Sequence, residues 1–360
     1  MAPVSPFMAL ALEAALSARG RTSPNPWVGA VLVRDGRVIS TGATAEFGGP
    51  HAEAAALTDV DARGTTLYTT LEPCMPFPGK QTRPCVDAII ESGVARVVIG
   101  IEDPHRPVRS RGVASLREAG IEVDVGDGAD EVMKVLRPYL KFRATGRPYV
   151  IAKFALSLDG RVGAPAAGIR QLTSSSALER AHMDRAWVDA ILVGSGTVLS
   201  DDPSLTARPG GAMAARQPLR IILDGRGRVP PASRTLGRGA IVCTANSANS
   251  REVAATGAIV LQLESAGAGV NLDQMFQALS ERNVMSMIAE GGPTLLSSLF
   301  AGRYVDEVHA YIAPVVLGGA GTPLAPAGVQ FEITVLSEVV VETLPPDVLI
   351  RGYTGDWSPS

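Results

Sequence analysis

A chain of 360 residues is too long for one typical core, and with 46% hydrophobic and 19% charged residues it can bury two of ordinary size. A formal net charge of -3 and 5% aromatic residues argue against nucleic-acid binding, which calls for a basic face and stacking rings. No stretch is long and uncharged enough to cross a bilayer, so neither a membrane nor a nucleic acid is an expected partner.

Residues 6–19 are apolar enough to suggest a signal peptide. No basic segment precedes them and Glu13 interrupts the run, so an amphipathic first helix is the better reading. Residues 27–33 and 37–43 read as a hairpin turning at Asp35-Gly36. A helix is expected over 51–59, strands over 66–71 and 95–101, and helices near 84–92, 110–119 and 129–144. Glycine and proline punctuate Arg143-Ala144-Thr145-Gly146-Arg147-Pro148, which places a domain boundary between 1–146 and 147–360.

The first segment carries a split set of metal-ligand residues: His51-Ala52-Glu53, then Pro73-Cys74, then Pro84-Cys85. One histidine and two cysteines can hold a zinc ion with its fourth position open, as catalytic zinc sites do. His51 is expected in the first turn of its helix, and Pro73-Cys74 is expected to start a helix after the strand over 66–71. Glu53 is close enough to carry protons at an activated water without being a ligand, the arrangement of zinc-dependent base deaminases. Singly, each residue reads as structural: a lone cysteine is usually a small buried hydrophobe.

Beyond the boundary, strands are expected over 149–156, 190–194, 219–223, 240–243, 284–289 and 307–312. A helix over 175–186 is capped by Ser174 or Ser175. Residues 209–217 and 264–270 read as glycine-rich surface loops, and Cys243 as core. Cysteine usage fits a reducing compartment, and the expected location is the cytoplasm. Gly194-Ser195-Gly196 is followed by Leu199 where a dinucleotide fingerprint needs a third glycine. Gly291-Gly292-Pro293-Thr294 follows a strand and opens an apolar helix, so it is either a phosphate cradle or an ordinary β-to-α turn.

The run from Ser23 to Val33, with His51-Ala52-Glu53, Leu71-Glu72-Pro73-Cys74 and a long inter-cysteine loop, resembles the deaminase half of the bifunctional pyrimidine deaminase/reductase of riboflavin biosynthesis. The runs 153–161, 191–208 and 290–295, with Ala313-Pro314, resemble its reductase half. The resemblance implies an α/β chain with a cytidine-deaminase-like three-layer domain followed by a dihydrofolate-reductase-like domain. It implies one Zn2+ on the first and NADPH on the second. The substrate would be a pyrimidine ribosyl phosphate, and the assembly a homo-oligomer, dimer or tetramer.

By resemblance Asn25, Lys80, Arg185, Leu205, Arg208 and Glu290 contact the substrate. Lys153, Ala155, Gln171, Thr173, Thr197, Asp201 and Gly291 to Thr294 would meet the cofactor, with Asp201 also handling or positioning for a proton at the sugar carbon. On the residues alone, Asp201 reads as an N-cap or turn aspartate before Pro203.

Two stretches depart from the family. The loop 75–83 lacks the histidine that usually follows the first cysteine, and Ile169 and Gln171 stand where a serine and a tryptophan are common. A paralogue with one activity or a shifted pyrimidine therefore stays open, as does, from another class, a non-catalytic zinc-containing binding module.

Overall fold

The computed structural model describes residues 3–76, 82–105, 108–164, 168–169, 171–267, 269–325, 333–355 and 357. The chain divides into two compact units, Met1–Gly146 and Arg147–Ser358. No helix among the described residues is long and apolar enough to cross a membrane.

In the first unit α1 (Pro6–Ala18) starts at Ser5, whose side chain accepts the Met8 N–H. The hairpin strands are β1 (Gly29–Arg34) and β2 (Arg37–Ala43), and both turn residues, Asp35 and Gly36, have positive φ. There follow α2 (Ala52–Leu57), β3 (Thr66–Leu71), α3 (Cys85–Ser92), β4 (Arg96–Ile101), α4 (Arg111–Glu118), β5 (Glu122–Val125) and α5 (Ala129–Thr145). The strand order is β2-β1-β3-β4-β5, with β1 antiparallel to both neighbours and β3, β4 and β5 parallel.

Close approach fixes the three layers. A Cβ at Gly29 would overlap the Ala11 carbonyl of α1, and one at Gly42 would overlap backbone of α2 at Ala52 and Ala56. Gly42 pairs with Ala30, so Gly29 and Gly42 face opposite sides of the sheet and let one helix settle on each.

One expectation fails here. Cys74 does not open a helix: it lies in the connection after β3, and α3 begins at Cys85 behind Pro84. Pro76 follows two residues after Cys74 and pushes Met75 out of the helical region.

The second unit runs β6 (Tyr149–Ser157), α6 (Ser175–Ala186), β7 (Ala190–Gly194), α7 (Ser195–Asp201), β8 (Leu219–Leu223), β9 (Ala240–Thr244), α8 (Ser250–Ala255) and β10 (Ile259–Gln262). A small ladder, β11 (Ser265–Ala266) with β12 (Gly269–Val270), occupies the expected loop. Then come α9 (Leu272–Ser280), β13 (Ser286–Ala289), α10 (Pro293–Ala301), β14 (Glu307–Ala313), β15 (Ser337–Leu344) and β16 (Asp347–Tyr353). Nine strands form one sheet in the order β10-β9-β8-β7-β13-β6-β14-β16-β15, parallel from β10 to β14.

Both faces of that sheet are covered, which is why its strands read as unbroken apolar runs. Val150, Leu192, Ile221 and Cys243 pack in one core, while Ile151, Ile191, Ile222 and Val242 pack in the other. Ser174 caps α6 by accepting the Ala177 N–H.

The helix α7 corrects the residue-level reading of Asp201, which ends a helix rather than capping the start of one. It is Asp202, at φ 38, that terminates α7 ahead of Pro203.

Candidate active sites

In the first unit, secondary-structure ends bring the donor set together. His51 is the residue immediately before α2 and its carbonyl accepts the Ala55 N–H; Cys74 follows β3; Cys85 is the first residue of α3. His51 Nδ1 lies 3.4 Å from Cys74 Sγ and 3.4 Å from Cys85 Sγ, and the two sulfurs are 3.3 Å apart. Both cysteines are free thiols, since a disulfide would bring the sulfurs to about 2.05 Å. The other ring nitrogen, Nε2, faces Thr82 Oγ1 at 3.4 Å.

These three donors fit zinc. Bonds of about 2.3 Å to sulfur and about 2.0–2.1 Å to nitrogen give tetrahedral edges near 3.5–3.8 Å, so the triangle needs to open only slightly. Among the described residues this is the group of histidine, cysteine or carboxylate side chains close enough to hold a metal ion. The start of α3 favours thiolate at Cys85.

Glu53, in the first turn of α2, is only 3% exposed. Burial raises its pKa, and the neighbouring Cys74 adds to the rise. Asn25 is half-buried, its N–H donating to the Thr22 carbonyl. Lys80 lies outside the described residues.

A residue quoted in the motif but given no role organises the backbone behind Cys74. Glu72 is buried, and its carboxylate accepts N–H groups from Asp103 (3.1 Å), Ser110 (3.0 Å), Gly112 (2.8 Å) and Val113 (3.2 Å). Asp103 in turn accepts the Tyr139 hydroxyl at 3.0 Å, and burial pushes its pKa up to about 6. A carboxylate preceding the Pro-Cys pair was the available signal, but its partners lie more than thirty residues downstream.

In the second unit a cavity of about 1170 Å³ opens at the C-terminal ends of the parallel strands. Lys153 and Ala155 of β6, Thr197 and Asp201 of α7, Glu290 after β13, and Gly291 to Thr294 all line it. Gly292 is the N-cap of α10, where a Cβ would meet open space, while one at Gly291 would overlap Leu295. The volume and this bare helix start suit a long phosphorylated ligand such as a dinucleotide.

At the cavity wall Glu290 takes two bonds from Arg185 and lies 3.4 Å from Lys153 Nζ. Burial opposes its ionisation, but Arg185 and Lys153 outweigh that and hold its pKa down to about 2. Arg185 also donates to the Thr206 carbonyl, at 3.1 Å.

The remaining expected residues are not brought to the cavity. Gln171 is exposed and donates to the Thr173 carbonyl. Leu205 is buried in the core, and Arg208 is exposed with its N–H directed at His182 Nδ1. Ile169, the residue in place of a serine, does line the cavity. Sequence reasoning missed Asn271 and Asp273 at the start of α9 and the arginines of the β8–β9 turn. Their strands and helix carried no motif, and only the sheet order places them at this wall.

Comparison with known proteins agrees with this division. Residues 1–101 match the cytidine and deoxycytidylate deaminase zinc-binding region, and residues 148–350 match the RibD C-terminal domain. The riboflavin biosynthesis protein RibD of Aquifex aeolicus is 36% identical over 352 residues, covering 96% of each chain. That of Escherichia coli K12 is 38% identical over 325 residues, 87% of this chain and 88% of its own. Among solved structures, Acinetobacter baumannii RibD superposes with a TM-score of 0.86 at 33% identity, over 96% of this chain and 97% of that one. A Thermotoga maritima diaminohydroxyphosphoribosylaminopyrimidine deaminase/5-amino-6-(5-phosphoribosylamino)uracil reductase gives 0.83 at 32% identity, over 97% of each. With a zinc-binding deaminase domain and a reductase domain in one chain, this protein belongs to the RibD family of bifunctional deaminase–reductases of riboflavin biosynthesis.

Proposed function

We propose that the chain deaminates 2,5-diamino-6-(5-phosphoribosylamino)pyrimidin-4-one at the His51, Cys74 and Cys85 centre and then reduces the ribosyl group to ribityl with NADPH in the second unit. The observation that carries the first half is the triangle of one imidazole nitrogen and two sulfurs, with the buried Glu53 two residues from His51. Zinc held there would supply an activated water nucleophile near neutral pH. Glu53 takes one proton from the attacking water and delivers it to the ring nitrogen, then takes the second from the added hydroxyl and delivers it to the departing amino group, so that ammonia leaves and a carbonyl oxygen takes its place. A carboxylate with its pKa raised by burial suits both steps. Asn25 and Lys80 are assigned to substrate binding.

In the reductase, NADPH bound along Gly291 to Thr294 would supply the hydride for the sugar C1. Lys153, Asp201 and Glu290 line the same cavity, with Glu290 held by Arg185; we assign them to the reacting carbon, with Asp201 positioning or passing the proton that completes the reduction. Ala155 and Thr197 complete the assigned cofactor contacts at the cavity wall, and Gln171 and Thr173 are assigned to a cofactor-bound arrangement of their loop. Leu205 and Arg208 are assigned to the substrate, whose phosphate a guanidinium fork suits. The β15 edge, with exposed Val339, Val340 and Val341, supports self-association, which light scattering would measure.

The test offers purified, zinc-loaded protein the diaminopyrimidine phosphate with and without NADPH, and follows products by mass. Exchange of amino for oxo reports the deaminase, and gain of two hydrogens reports the reductase. Absence of both products refutes the assignment.

A further inference from the structure

Lysine is scarce in this chain: of 33 lysines and arginines four are lysines, and Lys153 is the one that lies beyond residue 146. It lines the cavity, its side chain 17% exposed, with Nζ 3.4 Å from Glu290 Oε2. The same Nζ lies over the Tyr311 ring, 5.5 Å from its centroid. Strand register explains the meeting. β14 runs parallel to β6 with His309 beside Lys153 and Tyr311 beside Ala155, so these side chains share one face of the sheet. His309, the direct neighbour, turns to Asp184 and Glu307 and leaves the ammonium to Glu290 and the ring.

The ring is held where it stands. Tyr311 is 1% exposed and packs with Ala177 and Ala181 of α6 and Leu349 of β16, so it lies behind the cavity wall and not in it. Its hydroxyl donates to Asp184 Oδ2 at 2.7 Å, and Asp184 is itself fixed by Arg180 and His309. Burial and the adjoining Asp184 carboxylate push the pKa of the phenol well above its ordinary range, so it stays a neutral donor. Asp184 and Arg185 are consecutive in α6: the first holds Tyr311 and the second grips Glu290. The end of one helix therefore anchors both groups that face the Lys153 ammonium.

We propose that Tyr311 is a positioning residue of the reductase, whose ring face holds the Lys153 ammonium in place while leaving its N–H donors to the ligand. The proposal rests on the reading of this cavity as the reductase site. A lysine head swings on a flexible four-carbon stem, and a single carboxylate fixes its distance but not its direction. A second carboxylate in place of Tyr311 would take another N–H, whereas a ring face attracts the charge as a whole and leaves the donors available. The attraction is strongest where water is excluded, as it is behind this wall. Rates fall steeply when a positioned group moves, so a held ammonium favours turnover. As a core residue alone, Tyr311 would serve stability and leave Lys153 unaffected.

Full-length protein carrying isotope-labelled lysine, read by NMR without cofactor or substrate, tests the contact, since four lysines give few signals and Lys153→Arg identifies the one of interest. The ring current of Tyr311 should displace the Lys153 methylene signals in wild type and in Tyr311→Phe, and the displacement should vanish in Tyr311→Leu. Reduction of the deaminated ribosyl substrate is then measured per NADPH site, counted by fluorescence titration. Tyr311→Leu should lower kcat about 10-fold and change KM for NADPH by less than about 2-fold, the loss of one desolvated cation–π contact. Tyr311→Phe, which keeps the ring, should retain kcat within about 3-fold. Should Tyr311→Leu fail to fold, Tyr311→Met supplies a ring-free side chain of adaptable shape. Lys153 signals that are alike in wild type and the ring-free variants overturn the proposal, as does unchanged kcat in those variants. A loss in Tyr311→Phe as large as theirs also overturns it, since the hydroxyl and not the ring would then carry the effect. Wild type that reduces no substrate overturns the reading of the site and the proposal with it.

Discussion

Arg185 grips Glu290 at two points, Nε to Oε1 at 2.6 Å and Nη2 to Oε2 at 2.9 Å, and both side chains are mostly buried. This geometry ties the end of α6 to the loop after β13 and fixes the carboxylate that also faces Lys153. Removing Arg185 leaves the buried Glu290 carboxylate to Lys153 alone, at 3.4 Å, so the cost approaches but does not exceed the roughly 3–5 kcal/mol of a broken buried pair. Arg185→Ala should therefore lower stability by up to that amount in equilibrium urea unfolding. Arg185→Ala/Glu290→Gln should recover much of it, because the orphaned charge has gone. Equal destabilisation in the single and double variants would refute the ion-pair account.

A second prediction concerns pH. His309 on β14 is buried between two carboxylates, with Nδ1 2.9 Å from Asp184 and Nε2 2.8 Å from Glu307. Arg180 and the Tyr311 hydroxyl also bond to Asp184, and the Tyr149 hydroxyl bonds to Glu307. Burial opposes protonation of the ring, but the carboxylates overcome it and lift the pKa to about 9. The folded chain then holds a proton that the unfolded chain releases near the ordinary pKa of about 6.5. The stabilisation is complete below that value and is lost as pH rises toward 9. Stability should fall over this interval by something on the order of 3 kcal/mol, and His309→Gln should flatten that dependence. An unchanged slope in the variant would assign the titration elsewhere.

Local signals decided what could be read from the sequence. His51, Glu53, Cys74 and Cys85 stand in recognisable short motifs, and their elements place three of them within 3.4 Å of one another. The parallel strands were legible because both faces are buried, so β7 and β9 appear as continuous apolar runs. The helix α7 was not legible, since its glycine and β-branched residues give no helical period. Glu72 and Arg226 of the β8–β9 turn were missed for a different reason. The first acts through backbone groups at 103–113, and the second depends on which strand neighbours which. Neither relation has a local signature.

The deaminase reading makes a paired prediction. Glu53→Gln keeps the side-chain volume but cannot carry a proton, so zinc content should be unchanged while deamination falls by at least about 10²–10⁴-fold. Chelation should abolish deamination through the opposite route, and added zinc should restore it. NADPH-dependent reduction of the deaminated substrate should persist in both cases. Deamination that survives Glu53→Gln would transfer the proton role to another group.

The support behind Cys74 yields the last prediction. Gly112 opens α4 one residue in, its N–H donates to Glu72, and a Cβ there would overlap the Pro73 carbonyl. That carbonyl belongs to the peptide leading directly into Cys74, so relief of the clash must move either α4 or the sulfur. Overpacking of this kind costs about 1–3 kcal/mol. Glu72→Gln probes the same contact without added volume, because an amide cannot accept four N–H groups as a carboxylate does. Both variants should lose zinc during dialysis against a weak chelator faster than wild type, with affinity down about 10–100-fold as for other supporting residues of metal sites. The control is Gly120→Ala, at φ +81 in open space near the other end of α4. It should strain the backbone yet leave zinc retention unchanged. If it released zinc as readily as Gly112→Ala, the effect would be general destabilisation and Glu72 would have no special part in placing Cys74.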